Sequence, residues 1–203
     1  MAPSQRLSRD AVVRLAIELV DGGGPTGFAD LTLAKVAAAA GVATPSLYKH
    51  VGSLADLRRE VAVAAVRELA GFGAAATVGR SRADAVRALA AVWRTYAHDH
   101  PGLYAATQVA PDPDDPAEAD LRDAAAESVR VVAAVLRGFD LPDEALIDAV
   151  RAARSAVHGF VSLEIGGGFR LPQDLDRSFG VLVELLVAGI SALHHHAPAE
   201  ERS

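Results

Sequence analysis

Apolar residues recur at helical spacing from Val12 through Leu15, Ala16, Leu19 and Val20, the signature of one buried helix face. Ser8 stands where an N-cap belongs, and Gly22-Gly23-Gly24-Pro25 stops the run. After Phe28 and Leu31, Thr32 is placed to cap a second, short helix with Leu33, Val36, Ala37 and Ala40 on one face; Gly41 supplies its left-handed stop. Thr44 as cap, with Pro45 at the first helical position, predicts a third helix covering little more than Pro45 to Val51 and closed by Gly52. Ser53 followed by Asp56 has capping-box spacing, and Leu57, Val61, Ala65, Leu69 and Phe72 carry a fourth helix to about residue 72.

Gly71-Phe72-Gly73 and the stretch to Gly79 weaken helical character and predict a boundary. The expected division is an N-terminal domain over 1–53, the fourth helix as connector to about 72, and a second helical domain over 73–203. Beyond the boundary, Ser81 with Asp84 opens a helix from Arg82 to about His98, and a short one covers Leu103 to Gln108. Three prolines in the six residues Pro111 to Pro116 predict a loop. Three long helices follow at about 117–138, 142–165 and 174–193, parted by Gly138-Phe139-Asp140 and Gly166-Gly167-Gly168. There is no internal repeat, and no stretch reads as a strand, so the expected fold class is all-α.

Composition agrees. Hydrophobic residues make up 51% of 203 positions, aromatics only 5%, and much of the remainder is alanine, a strong helix former. With no cysteine, disulfides, thiolate zinc sites and cysteine nucleophiles are all excluded. No apolar run approaches the roughly 20 residues of a membrane span, and Met1 to Asp10 is polar rather than a signal peptide, so a cytoplasmic protein is expected. The net charge of −6 argues against general affinity for nucleic acid. Its distribution is uneven: residues 1–60 sum to +1 and the remainder to −7, which suits a molecule that offers one end to a polyanion.

That end has the parts of a helix-turn-helix: a helix, a glycine-containing turn and a second helix with a polar outer face. Leu47 and Val51 are spaced to anchor the third helix, leaving Thr44, Pro45, Ser46, Tyr48, Lys49 and His50 toward solvent. Hydroxyls of Thr44 and Ser46 suit base edges or phosphate, Pro45 a thymine methyl, and Tyr48, Lys49 and His50 phosphate oxygens. Thr32 opens the second helix with free backbone N–H groups facing a phosphate, and Lys35 lies one turn on. Each residue also has a plainer role open to it. Tyr48 could pack at the junction of the second and third helices, Lys49 and His50 could be solvated, and Thr44 and Pro45 have capping duties in any case.

On Phe28 to Leu33, Val36-Ala37, Gly41-Val42 and above all Pro45-Ser46-Leu47-Tyr48-Lys49-His50-Val51 leading into Ser53, Leu54 and Leu57, the chain closely resembles the tetracycline-repressor (TetR) family of bacterial regulators. Ala156-Val157-His158-Gly159-Phe160, followed by Ser162-Leu163-Glu164 and Gly167, resembles the subgroup named for a Trp-His-Gly motif, with the tryptophan absent. The resemblance implies a homodimer, a recognition helix in the major groove of an operator, and an effector pocket in the larger domain. The expected function is a repressor that binds a palindromic double-stranded operator and is released by a small-molecule effector. Some family members place basic residues where this chain has Ala34 and Leu54, so Arg6 and Arg9 are expected to form a compensating basic arm.

In the second domain, Trp93, Tyr96, Tyr104, Gln108 and His158 are the effector candidates, each with a core role as its alternative. A mostly apolar effector is expected, because few charges fall among them. Val157 and Val161, with Phe179, Leu182, Val183, Leu186 and Ile190, form a stripe suited to a four-helix dimer interface. Glu164 reads as a solvated or interface residue. No enzyme, cofactor or metal centre is expected: Ser155 and His158 lack a nucleophile elbow, no glutamate has a histidine three residues later, and His194-His195-His196 reads as a surface tail.

Overall fold

A computed structural model describes residues 7–193. Among them the chain is all helical, with no strand, as expected. The helices are α1 (Arg9–Gly22), α2 (Leu33–Ala39), α3 (Thr44–Leu47), α4 (Leu54–Thr77), α5 (Arg82–Asp99), α6 (Pro101–Ala106), α7 (Ala119–Arg137), α8 (Asp143–Ile165) and α9 (Leu175–Leu193). None of the described helices is long and apolar enough to cross a membrane. The His194-His195-His196 tail and Arg6 lie outside the described residues.

The predicted caps close the helices where side-chain oxygens can meet orphan N–H groups. The Ala11 N–H donates to Ser8 Oγ at 3.2 Å, the Lys35 N–H to Thr32 Oγ1 at 3.2 Å, and the Asp56 N–H to Ser53 Oγ at 3.0 Å. Gly41 ends α2 at φ +66°, and the Val42 N–H reaches back to the Ala37 carbonyl at 3.0 Å.

Several boundaries depart from expectation, among them α6, which covers Pro101–Ala106 rather than Leu103 to Gln108. The α3 helix spans only Thr44–Leu47, with Ala43 in extended conformation as its cap and Thr44 already inside it. Tyr48 to His50 form a turn, held by the His50 and Val51 N–H groups donating to the Leu47 carbonyl at 2.8 and 3.0 Å. The α4 helix continues past Phe72 to Thr77. Tertiary packing overrides the low helix propensity there, because Gly73 is buried against Leu89 and Val131, which lie where a side chain would otherwise stand.

Two compact units are formed, and neither is a continuous stretch. The first holds Met1–Glu68 and Tyr96–Ala125, the second Leu69–Thr95 and Ala126–Ser203, so the division falls inside α4, α5 and α7. In the first unit, Val12, Ala16 and Val20 of α1 are buried with Leu31, Val36, Leu47, Val51, Leu57 and Val61. A second patch joins Ala62, Val63 and Val66 of α4 to Leu121 and Ala124 of α7. The start of α6 lies against the end of α1: a Cβ on Gly102 would stand 2.1 Å from the Val20 carbonyl oxygen, and His100 Nδ1 meets Asp21 Oδ1 at 2.9 Å. In the second unit α8 packs on α9, the rings of Phe160, Phe169 and Phe179 stack at 4.8 and 5.2 Å, and Arg87 of α5 pairs with Glu184 of α9.

Candidate functional site

The α3 segment is amphipathic over a single turn. Leu47 is fully buried and Val51 nearly so, which turns the intervening residues outward: Tyr48 is 58% exposed, Pro45 and Lys49 are exposed, and Thr44, Ser46 and His50 are half-buried. The exposure of Tyr48 excludes the packed alternative for that ring. Thr44 is not the helix cap, so its hydroxyl has no capping duty; the turn is closed instead by the Ser46 N–H donating to the Ala43 carbonyl at 2.8 Å. Thr32 does cap α2, which ties up its hydroxyl, and Lys35 stands exposed one turn along. Lys35 borders a cleft of about 390 Å³ that also has Glu18, Asp30 and Leu31 in its walls. The six residues of the α3 segment thus share one short surface, packed against α2.

The basic arm is corrected in part. Arg9 is the first residue of α1, and its guanidinium pairs with Glu60 on α4, which also raises its pKa above the ordinary arginine value. Its charge is therefore engaged within the fold.

Arg58 was not singled out by sequence. Its Nη2 donates to the carbonyl oxygens of Ala29 at 2.7 Å and Leu31 at 3.1 Å, while its Nε is buried with no partner. Nothing local to Leu57-Arg58-Arg59 marks it, since its acceptors lie 27 and 29 residues earlier.

The effector candidates divide between the units. Tyr96, Tyr104 and Gln108 belong to the first, Trp93 and His158 to the second. Tyr96 is buried and donates to Glu68 Oε2 at 2.8 Å; burial, then that hydrogen bond, push its pKa far up, so the phenol stays protonated. Tyr104 is buried, and its carbonyl accepts from the Thr107 hydroxyl at 2.7 Å, which in turn accepts from Gln108 Nε2 at 2.7 Å. Trp93 and His158 are half-buried, and the His158 ring lies 3.4 Å from Ser162 Oγ. Burial, followed by the charge of Arg154, holds the His158 pKa below its ordinary value.

The expected interface stripe is corrected. Val157, Val161, Phe179, Val183 and Ile190 are buried within the single chain, and Leu182 and Leu186 are half-buried. The apolar residues that α8 and α9 turn outward are Ile147, Leu163, Val181, Leu185 and Leu193, from 37% to 67% exposed. Glu164 is also corrected: its side chain is 7% exposed and holds Arg94 through two hydrogen bonds of 2.9 and 2.5 Å.

Comparison with known proteins follows the same lines. Residues 86–186 match the tetracyclin repressor-like C-terminal domain family. Over 198 residues, 97% of this chain and 87% of the relative, the sequence is 37% identical to the uncharacterised HTH-type transcriptional regulator Rv0681 of Mycobacterium tuberculosis. The transcriptional regulator SCO7222, a TetR from Streptomyces coelicolor, superposes with a TM-score of 0.69 at 21% identity, covering 93% of this chain and all of that one. The TetR family protein ActR of Streptomyces coelicolor, solved in complex with (S)-DNPA, gives 0.64 at 19% identity, covering 93% and 99%. The structural likenesses share the all-helical fold, and the relative from Mycobacterium tuberculosis matches nearly end to end. The chain belongs to the tetracycline-repressor family of helix-turn-helix transcriptional regulators.

Proposed function

We propose that the protein is a repressor that binds a palindromic operator as a homodimer and releases it when a small-molecule effector binds. The observation that carries this reading is the exposure of Tyr48, Pro45 and Lys49 on a segment whose inward residues, Leu47 and Val51, are sealed in the core. In this reading Thr44, Pro45 and Ser46 meet base edges, while Tyr48, Lys49 and His50, with Lys35 and Thr32 beside them, position the head on phosphate. Residues 1–53 act as the reading head, α4 as its connector to about 72, and 73–203 as the effector-binding and dimerising part. Within the first unit Tyr96, Tyr104 and Gln108, and within the second Trp93 and His158, are the candidate effector contacts in this scheme. That ActR, with the same fold, holds a small molecule supports such a use of the helical part.

A second copy covering the outward face of α8 and α9 gives the dimer. Leu163 of α8 and Val181 and Leu185 of α9 are large apolar side chains left exposed in the single chain, residues that such an interface would cover. Two-fold pairing then sets the heads about one DNA turn apart, roughly 34–36 Å, and makes the operator palindromic. Effector and operator binding are coupled reciprocally, by about 1–3 kcal/mol in systems of this type.

Selection of bound sequences from a random DNA pool, followed by titration of the selected duplex, tests the reading. A palindromic site is expected, and Lys49→Ala is expected to weaken binding and reduce the slope of log affinity against log salt by about one. Tyr48→Ala should weaken binding with little change in slope. Specific affinity and salt dependence unchanged in both variants would refute the α3 assignment.

A further inference from the structure

Arg58 sits in the second turn of α4 and reaches back to the segment that precedes α2. Its Nη2 donates to two carbonyl oxygens, of Ala29 and Leu31, on either side of Asp30. Leu31 is 1% exposed and Thr32, which caps α2, follows it directly. Arg58 is half-buried, and its Nε, like that of Arg59, is enclosed without a hydrogen-bond partner. One donor nitrogen thus fastens the point at which the chain enters α2. Because α2 carries α3 by direct packing, that point also fixes where Pro45, Tyr48 and Lys49 stand relative to α4. Arginine suits the task better than lysine: the planar guanidinium fixes the directions of the two Nη2 N–H bonds toward the carbonyl pair, whereas an ammonium on a flexible stem rotates freely.

We infer that Arg58 is a positioning residue for operator recognition, setting the seat of the α2–α3 pair on α4 without itself touching DNA. The inference rests on the reading of α3 as the operator-facing element. It also separates Arg58 from its neighbour Arg59, whose Nη1 bonds Asp56 at 2.9 Å and whose Nε lies 3.6 Å from Glu118. Arg59 therefore serves α4 and the loop before α7, and Arg58 alone of the two reaches the entry to α2.

The test uses the full chain with its selected operator duplex and a scrambled duplex of equal length. Arg58→Met keeps the stem and removes both donated bonds. It is expected to lower operator affinity by roughly tenfold or more, as the loss of charge-assisted hydrogen bonds implies, while affinity for the scrambled duplex and the salt slope for the operator stay as in the parent. Arg58→Lys, which retains the charge, is expected to show a smaller loss of the same operator-to-scrambled ratio, and it is the variant to use if Arg58→Met does not fold. An unchanged ratio in a folded variant would overturn the inference, because a role confined to stability moves both affinities together. A slope reduced by about one would also overturn it, since Arg58 would then be a phosphate contact. Lys35→Ala and Lys49→Ala are measured alongside: if neither alters operator affinity or slope, the reading of α3 fails, whereas losses in these two with none in Arg58→Met defeat the positioning role alone.

Discussion

Arg94 shows what a single side chain contributes to the second unit. Its guanidinium lies between Glu164 and Asp176, with its Cζ 4.9 Å from the Phe179 ring centre and 5.9 Å from that of Phe160. Charge and aromatic faces together fasten α5 to α8 and α9. Glu164→Ala leaves a guanidinium 17% exposed beside the solvent-exposed Asp176 carboxylate, so a loss of about 2–3 kcal/mol is expected in urea unfolding, less than for a fully buried pair. His158 gives a pH signature. Burial depresses its folded pKa, so between that value and the unfolded one, near 6.5, the unfolded chain binds more protons. The associated stability is complete above pH of about 6.5 and is lost as pH falls through it. His158→Gln should flatten the decline in Tm between about pH 7 and 5; a decline as steep as the parent's would show that other groups cause it. The outward set Pro45, Tyr48 and Lys49 is legible because Leu47 and Val51, one turn apart, define the inward face. Arg9, Arg58 and Arg94 are not, because their partners stand 51, 27 to 29 and 70 residues away in sequence.

Helix starts follow local chemistry where a capping side chain is present, and helix interiors do not. Ser8, Thr32 and Ser53 could be placed from spacing alone because a cap is a bond between residues three apart. The continuation of α4 through Gly71-Phe72-Gly73 depends on what packs there, which no window of sequence contains. The glycines of these helices are accordingly unequal. A Cβ on Gly71 meets nothing within 4 Å, so Gly71→Ala should raise stability by about 0.5–1 kcal/mol, read as a higher Tm. At Gly102 the same added carbon would strike the Val20 carbonyl oxygen at 2.1 Å and the Gly24 carbonyl oxygen at 2.9 Å. Gly102→Ala should therefore destabilise by roughly 1–3 kcal/mol through forced separation of α6 from α1. A Tm equal to the parent's would mean that the contact yields without cost.

Whole-molecule behaviour turns on which faces remain uncovered. The α9 helix is apolar nearly all round, so its period alone does not tell the inward residues Phe179, Val183 and Ile190 from the outward Val181 and Leu185; the structure separates them. Leu185→Glu, at a site 67% exposed in the single chain, should leave helical content intact and convert the proposed dimer to monomer in sedimentation, while Phe179→Ala should lower stability by about 3 kcal/mol or more. A Leu185→Glu protein that sediments as the parent does would rule out this face. The interrupted make-up of the first unit has a further consequence, for how the chain comes into being. Residues up to Glu68 leave the ribosome well before Tyr96–Ala125, which complete the same unit. Until Gly102 arrives, Val20 and Gly24 lack the neighbour that closes over them, so the nascent head waits, partly open, for more than half of the protein to be synthesised.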